Sequence, residues 1–291
     1  MATASLPKSE QVGLEETGPG AGAVLNGIYT IWYRDLLRYV RDRSRTVGSL
    51  ATPILFLLIF GSGLSPAMGR LGGVQDGLSY LQFMFPGIIC MTIIFTSVFS
   101  AMSLVYDREF GFMKEVLVAP VPRWTVALGK TLGGSTVSMI QAIIMLLLAP
   151  ILGVKLTIGT VLALLPMVFV LAFALSAVGL LISARMNSVQ GFQMVSNFMV
   201  MPMFFLSGAL FPLGNLPSWL EVLTRINPVT YGVDAVRQIV LAETSQSAVL
   251  SGQLGLTVFD QTMTPLADAL IVMGFGVVAF SLAVRVFNIQ E

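Results

Sequence analysis

The sequence predicts an all-α membrane protein with six transmembrane helices, and three observations carry that expectation. The 291 residues are 55% hydrophobic and only 11% charged, with a mean hydropathy of +0.85. Soluble domains carry roughly 25% charged residues, so a chain this apolar takes a bilayer as its solvent. Six apolar segments follow one another at 47–64, 81–105, 126–152, 160–183, 189–212 and 266–287. Each is long enough to cross about 30 Å of hydrocarbon. The basic residues are also asymmetric. With a cytoplasmic N-terminus, twelve Lys and Arg fall on the inner side, and only Arg70, Lys155, Arg225 and Arg237 fall on the outer side. The positive-inside rule then places both termini in the cytoplasm.

Composition excludes several function classes. A net charge of +1 gives nucleic acid no electrostatic footing. Cys90 is the single cysteine, which rules out an intrachain disulfide and a cysteine-based metal site. Histidine is absent, and with it the commonest general base and metal ligand. Neither an HExxH motif nor a Gly-x-Ser-x-Gly elbow occurs, and no catalytic cluster or metal site is expected. The middles of the six segments hold no Asp, Glu, Lys, Arg or His; Lys130, Asp268 and Arg285 lie near segment ends, where they can reach the interface. Ion-coupled carriers place ionisable relays inside the membrane. This chain is therefore either passive or driven by energy delivered from elsewhere.

Taken in order, residues 1–24 read as a disordered cytoplasmic tail, because they lack the apolar stretch of a signal peptide. Residues 25–45 read as an amphipathic helix, and 46–291 as the six-span domain. In the helix, Leu25, Ile28, Trp32, Leu36 and Tyr39 recur at spacings 3, 4, 4, 3, opposite Arg34, Arg38, Arg41 and Arg45. That pattern suits a helix lying in the headgroup region, or one packed on the spans by its apolar face. Pro53, Pro86, Pro166 and Pro202 fall within spans, which membrane helices tolerate.

The loop "YDREFGFMKEVLVAPVPRW", 106–124, carries an apolar stripe of Phe110, Met113 and Leu117. Asp107 and Glu109 are expected at the start of this loop helix, where carboxylates complement its dipole, and Pro120 and Pro122 end it. Such a helix suits a groove on another protein, or the flat membrane surface. The next segment opens with "ALGKTLGG", 127–134, whose GKT is how a phosphate loop ends. That motif needs glycine five positions before Gly129, and Trp124 stands there. Lys130 reads instead as a snorkelling lysine at the inner face, and Gly129 with Gly133 as a GxxxG packing pair. In the outer connection, 213–264, Trp219, Leu220, Leu223 and Ile226 share a helical face, Asn227-Pro228 breaks it, and Val233, Val236, Ile239 and Val240 form another. Neither helix can span, so both are expected to dip into the outer leaflet, buried against protein.

The stretches "REFGFMKEVLVAPVPRW" and "PMFFLSGALFPLGNLPSWLEVLTRINPVTYGVDAVR" resemble the two signatures of ABC-2 type transporter permeases, and the likeness covers nearly all of the chain after residue 25. The resemblance implies a permease dimer, most simply a homodimer, served by two copies of a separate ABC ATPase subunit. ATP and Mg would sit on that partner, with no cofactor bound by this chain and no enzyme activity of its own. It implies that the loop helix is a coupling helix, with Asp107, Arg108, Glu109, Phe110, Gly111, Lys114 and Glu115 facing the ATPase. The amphipathic segment resembles the connecting helix. The outer pair, with Trp219, Asn227, Pro228 and Tyr231, resembles re-entrant helices closing the outer mouth. Spans two and five resemble the pathway helices, which sets Phe83, Phe85, Phe95, Phe99, Phe204 and Phe205 against substrate, or else in packing and lipid contact. The expected function is the permease of an ATP-driven exporter in the inner (plasma) membrane of a prokaryote. Sixteen methionines and nineteen phenylalanines suit small amphipathic drugs or lipids. Export of polysaccharide or lipid-linked glycan, and a passive channel, are the alternatives.

Overall fold

The computed structural model describes residues 21–70, 80–111, 122–152, 154, 156–211, 216–242, 257–258 and 261–290. Its regular structure is helical apart from a two-residue antiparallel pairing of Thr257–Val258 with Gln261–Thr262. In chain order the helices are α1 Ala21–Arg41, α2 Arg43–Arg70, α3 Tyr80–Ser100, α4 Met102–Glu109, α5 Arg123–Leu148, α6 Ile158–Ala184, α7 Val189–Phe205, α8 Ser218–Ile226, α9 Pro228–Leu241 and α10 Pro265–Gln290. A short 3-10 turn, Ala149–Leu152, extends α5. Most of the expected N-terminal tail, and residues 243–256 of the expected outer connection, lie outside the described residues.

Four helices are each long and apolar enough to cross a membrane: Gln82–Glu109, which joins α3 to α4, then Arg123–Leu148, Ile158–Ala184 and Pro265–Asn288. Helix α1 and the Thr46–Phe60 part of α2 pass the same test as a pair, across a 69° bend. By length and composition the described residues thus supply four or five spans. The predicted fifth segment, 189–212, forms the 17-residue α7. At 1.5 Å per residue α7 is about 25 Å long, a little short of the hydrocarbon thickness on its own.

Helices α3, α5 and α6 form the centre, with α9 and α10 packed against α6. Every residue of α3 from Phe83 to Ile94 is buried, as expected for a helix that is apolar all round. Neutral polar side chains stitch the seams between helices. Ser97 Oγ donates to Ser138 Oγ at 2.7 Å, and the Gln141 carboxamide joins Thr96 on α3 to Ser49 on α2. Such bonds are a common means of joining helices where water offers no competition. Leu55 and Ile59 on α2, Met194 and Phe198 on α7, and Leu270 and Val278 on α10 remain exposed. An apolar surface of that kind suits lipid or another membrane chain rather than water.

Candidate functional site

The site is built where α4 ends. Helix α3 runs through a turn at Ala101 into α4, which carries the chain on to Glu109. The Phe110 N–H closes the last turn on the Tyr106 carbonyl at 3.0 Å, and Gly111 then takes φ +80°, a conformation that favours glycine. Asp107 and Glu109 are expected from the sequence in the first turn of a loop helix. They stand instead in the last turn of α4. A helix C-terminus disfavours carboxylates, and both are held there by groups from other elements.

Asp107 is 4% exposed, accepts hydrogen bonds from Arg34 at 2.9 Å and Lys130 at 3.4 Å, and forms an ion pair with Arg38 at 3.6 Å. Arg108 turns the other way. Its Nη1 donates to the carbonyls of Ser183 at 3.1 Å, Ala184 at 3.1 Å and Met186 at 2.8 Å. These lie at the end of α6, where carbonyls lack helical partners and a cation meets the negative end of the dipole. Glu109 Oε2 accepts the Val189 N–H at 2.9 Å, at the first residue of α7, whose N-cap Ser188 accepts the Gly191 N–H at 3.2 Å. Three consecutive side chains therefore fasten α1, α5, α6 and α7 to the point where the chain leaves α4.

Lys130 completes the joint. The sequence reading puts it at the membrane face as a snorkelling lysine; the structure corrects this. Lys130 is 5% exposed and its Nζ bonds Asp35 at 3.1 Å and Ser103 at 2.8 Å, besides Asp107. Two carboxylates, the buried Asp107 and the half-buried Asp35, offset the cost of keeping the ammonium away from water. The GxxxG pair does mark close packing, and its partner is α1. A Cβ on Gly129 would lie 2.9 Å from Ile31 Cβ and 3.2 Å from the Ile28 carbonyl oxygen, and one on Gly133 would lie 3.1 Å from Asp35 Cβ. Trp32 Nε1 donates to Thr136 Oγ1 at 2.9 Å on the same face. So α1 rests its apolar side on α5 and aims Arg34 and Arg38 at Asp107.

Among the other expected coupling residues, Phe110 is 66% exposed and stacks on Tyr106 with centroids 6.0 Å apart, and Gly111 is exposed. Lys114 and Glu115 lie outside the described residues. The six phenylalanines do not share one surface. Phe83, Phe85 and Phe204 are enclosed in the core, whereas Phe95, Phe99 and Phe205 reach its edge.

The two short helices on either side of Asn227-Pro228 form as expected. Asn227 caps α9, accepting the Val229 N–H at 3.2 Å, and Pro228 takes the first helical position. Asn227 Nδ2 also donates to the Met203 carbonyl at 2.7 Å, and the Tyr231 hydroxyl to the Arg225 carbonyl at 2.8 Å, while Trp219 is 66% exposed. Asp268, expected to reach the interface, is instead fully buried, because α9 packs over the start of α10. Composition gave no sign of the part played by Arg237, which is 2% exposed. It donates to the Gly208 carbonyl at 2.6 Å and lies 4.4 Å from the centroid of the Phe83 ring.

The membrane domain described as ABC-2 type transporter matches residues 26–241, which include the joint and both outer helices. The chain belongs to the ABC-2 type transporter family. As an ABC-2 permease it is a membrane component of an ABC transporter. It is 30% identical over 212 residues to a protein of Cyanophora paradoxa named as a transport permease, ycf38, covering 72% of each chain. It is 33% identical over 199 residues to an Escherichia coli K12 protein named as a multidrug ABC transporter permease, YbhR, covering 67% of this chain and 54% of the relative. It is also 26% identical over 214 residues to nodulation protein J of Rhizobium meliloti, covering 72% of this chain and 80% of the relative.

Proposed function

We propose that this ABC-2 permease is the membrane half of an ATP-driven exporter in a prokaryotic plasma membrane, with both termini cytoplasmic and α7 completing six spans. Two copies form the pathway, and each receives an ATPase subunit on the segment 107–115. ATP and Mg are held and consumed on that partner. The cargo is a small amphipathic compound, such as a drug, or a lipid. Likeness to a relative named as a multidrug permease supports that class.

The observation that carries the reading is the division of labour in Asp107, Arg108 and Glu109. A docking segment that only adhered to an ATPase would need no internal anchors. Here its first residues reach α1, α5, α6 and α7 by ion pairs and helix caps. A push on Phe110 and the residues after it is thereby delivered to four helices at once. Closely packed, ion-paired groups transmit displacement because a packed core moves between discrete arrangements rather than deforming freely. Exposed Phe110 supplies the apolar contact for a groove on the partner, and α1 lies along the membrane surface as a connecting helix.

The test is a double variant, Phe110→Ala with Glu109→Gln, in the permease assembled with its ATPase. Expected is a complex that still reaches the membrane, with ATP turnover that no longer responds to cargo. Substrate-stimulated turnover equal to the parent would sink the coupling assignment.

A further inference from the structure

A cavity of about 280 Å³ lies between α1, α2, α3 and α5, beside the joint and apart from the docking segment. Its wall is mixed in character. Asp35, Arg38 and Tyr39 line it from α1 and Met91, Phe95 and Phe99 from α3, while hydroxyls and the Gln141 carboxamide add neutral polar groups. Phe95 and Phe99 are stacked, 6.3 Å apart and 6° from parallel, and present an apolar face.

Two features of the α1 wall point to a ligand. Tyr39 is 7% exposed, yet its hydroxyl has no hydrogen-bond partner among the described residues. A buried hydroxyl left without a partner costs free energy, which a bound acceptor would recover. The charges there also do not balance. Among the described residues, the half-exposed Arg34 and Arg38 and the buried Lys130 face only Asp35 and Asp107. Lys130 holds Asp35 at 3.1 Å, while the Arg38–Asp107 pair is the longest of the set at 3.6 Å, leaving Arg38 the freest donor on the wall.

We propose that this cavity binds an anionic amphiphile, with its acidic head on Arg38 and the Tyr39 hydroxyl and its apolar part against Phe95 and Phe99. The size suits one head group and the start of a chain or ring system, since pockets for whole drug-sized ligands begin at roughly 300 Å³. This deepens the exporter reading by naming the chemistry of a loading site, and rests on that reading only for the site's purpose. The head can belong to an acidic compound awaiting export or to an acidic phospholipid of the same leaflet.

The experiment uses the full-length chain in phosphatidylcholine nanodiscs with dansylated undecanoic acid as the fluorescent probe. Saturable binding is expected, displaced by dodecyl phosphate but not by dodecyltrimethylammonium or inorganic phosphate. Displacement by dioleoyl phosphatidic acid as well assigns the site to a membrane lipid; displacement by the single-chain phosphate alone assigns it to smaller cargo. Arg38→Gln should weaken the probe roughly tenfold and Tyr39→Phe about threefold. Arg41→Gln, which removes an equal charge outside the cavity, should leave binding unchanged. Equal displacement by the cationic chain, or unaltered affinity in both Arg38→Gln and Tyr39→Phe, would overturn the proposal. ATP-driven export that persists when these variants have lost the probe would overturn the loading role alone. Probe binding without any ATP-linked export would count against the exporter reading and leave the site standing.

Discussion

Lys130 and Asp107, at one end of the bundle, are 5% and 4% exposed, and each has two or three opposite charges within 4 Å. Asp268, at the other end, is fully buried, and neither of its oxygens has a hydrogen-bond partner among the described residues. On α9, Arg237 donates to one carbonyl, lies over an aromatic ring and feels the charge of Asp234. Leaving water costs a charge several kcal/mol unless partners replace the lost hydration. The first end offsets that cost within one chain and is built as a fixed joint. The second is held by helix caps, scattered hydrogen bonds and apolar packing, and carries a carboxyl that those contacts do not offset. That contrast is what the proposed exporter requires, with force received at one end and opening at the other.

The largest effect should come from breaking the joint. Lys130→Met keeps the length of the side chain but leaves Asp35 and Asp107 without their shared cation. Removing one member of a buried ion pair costs about 3–5 kcal/mol. Arg34 and Arg38 still serve Asp107, so the lower end of that range is expected. The purified permease should melt earlier, and α1 should become open to proteolysis, whereas nucleotide binding by the assembled complex should be unchanged. Melting equal to the parent would show that the cluster is ornamental and that the contrast between the ends is false.

Much of this architecture is legible in the sequence, because apolar length and basic asymmetry are properties of single segments. The spans α3, α5, α6 and α10 follow from runs of hydrophobic residues, and the break between α8 and α9 from Asn227-Pro228. The joint is less legible, for a physical reason. Whether a lysine snorkels or pairs depends on what packs beside it, and the partners of Lys130 are 23 and 95 residues away. The signal was present in Asp35 and Asp107, acids near two different apolar segments that a basic neighbourhood would draw together. Helical periodicity likewise could not tell that Asp107 and Glu109 close one helix rather than open another. Gln141, Thr96 and Ser49 stayed silent because neutral polar residues barely alter hydropathy.

A smaller loss is expected where the same joint relies on shape. Gly129→Ala puts a methyl carbon 2.9 Å from Ile31 Cβ and 3.2 Å from the Ile28 carbonyl oxygen, and backbone cannot step aside cheaply. Overpacking of this kind costs about 1–3 kcal/mol. Gly274→Ala, in α10, meets nothing within 4 Å and serves as the control. There the gain in helix propensity, about 1 kcal/mol at most, should leave stability equal or slightly raised. Thermal melts of the two variants side by side separate close packing from a general intolerance of added volume. Equal melting points would remove α1 from the joint.

The smallest change, and the one of opposite sign, belongs to Asp268→Asn. The substitution keeps the shape of the side chain and removes the ionisable group. At a position where partners hold the carboxylate, the exchange would cost the permease stability, as expected for Asp107→Asn. At Asp268 the described residues give the carboxyl oxygens nothing to lose, and Asp234 on α9, itself 3% exposed, lies close enough to repel a second negative charge. The melting point should therefore hold or rise. If export by the assembled complex falls while stability holds, the acid is kept at a stability cost for the sake of movement at that end. A clear drop in melting point would mean that the carboxylate is paired after all, and the two ends would no longer differ in kind.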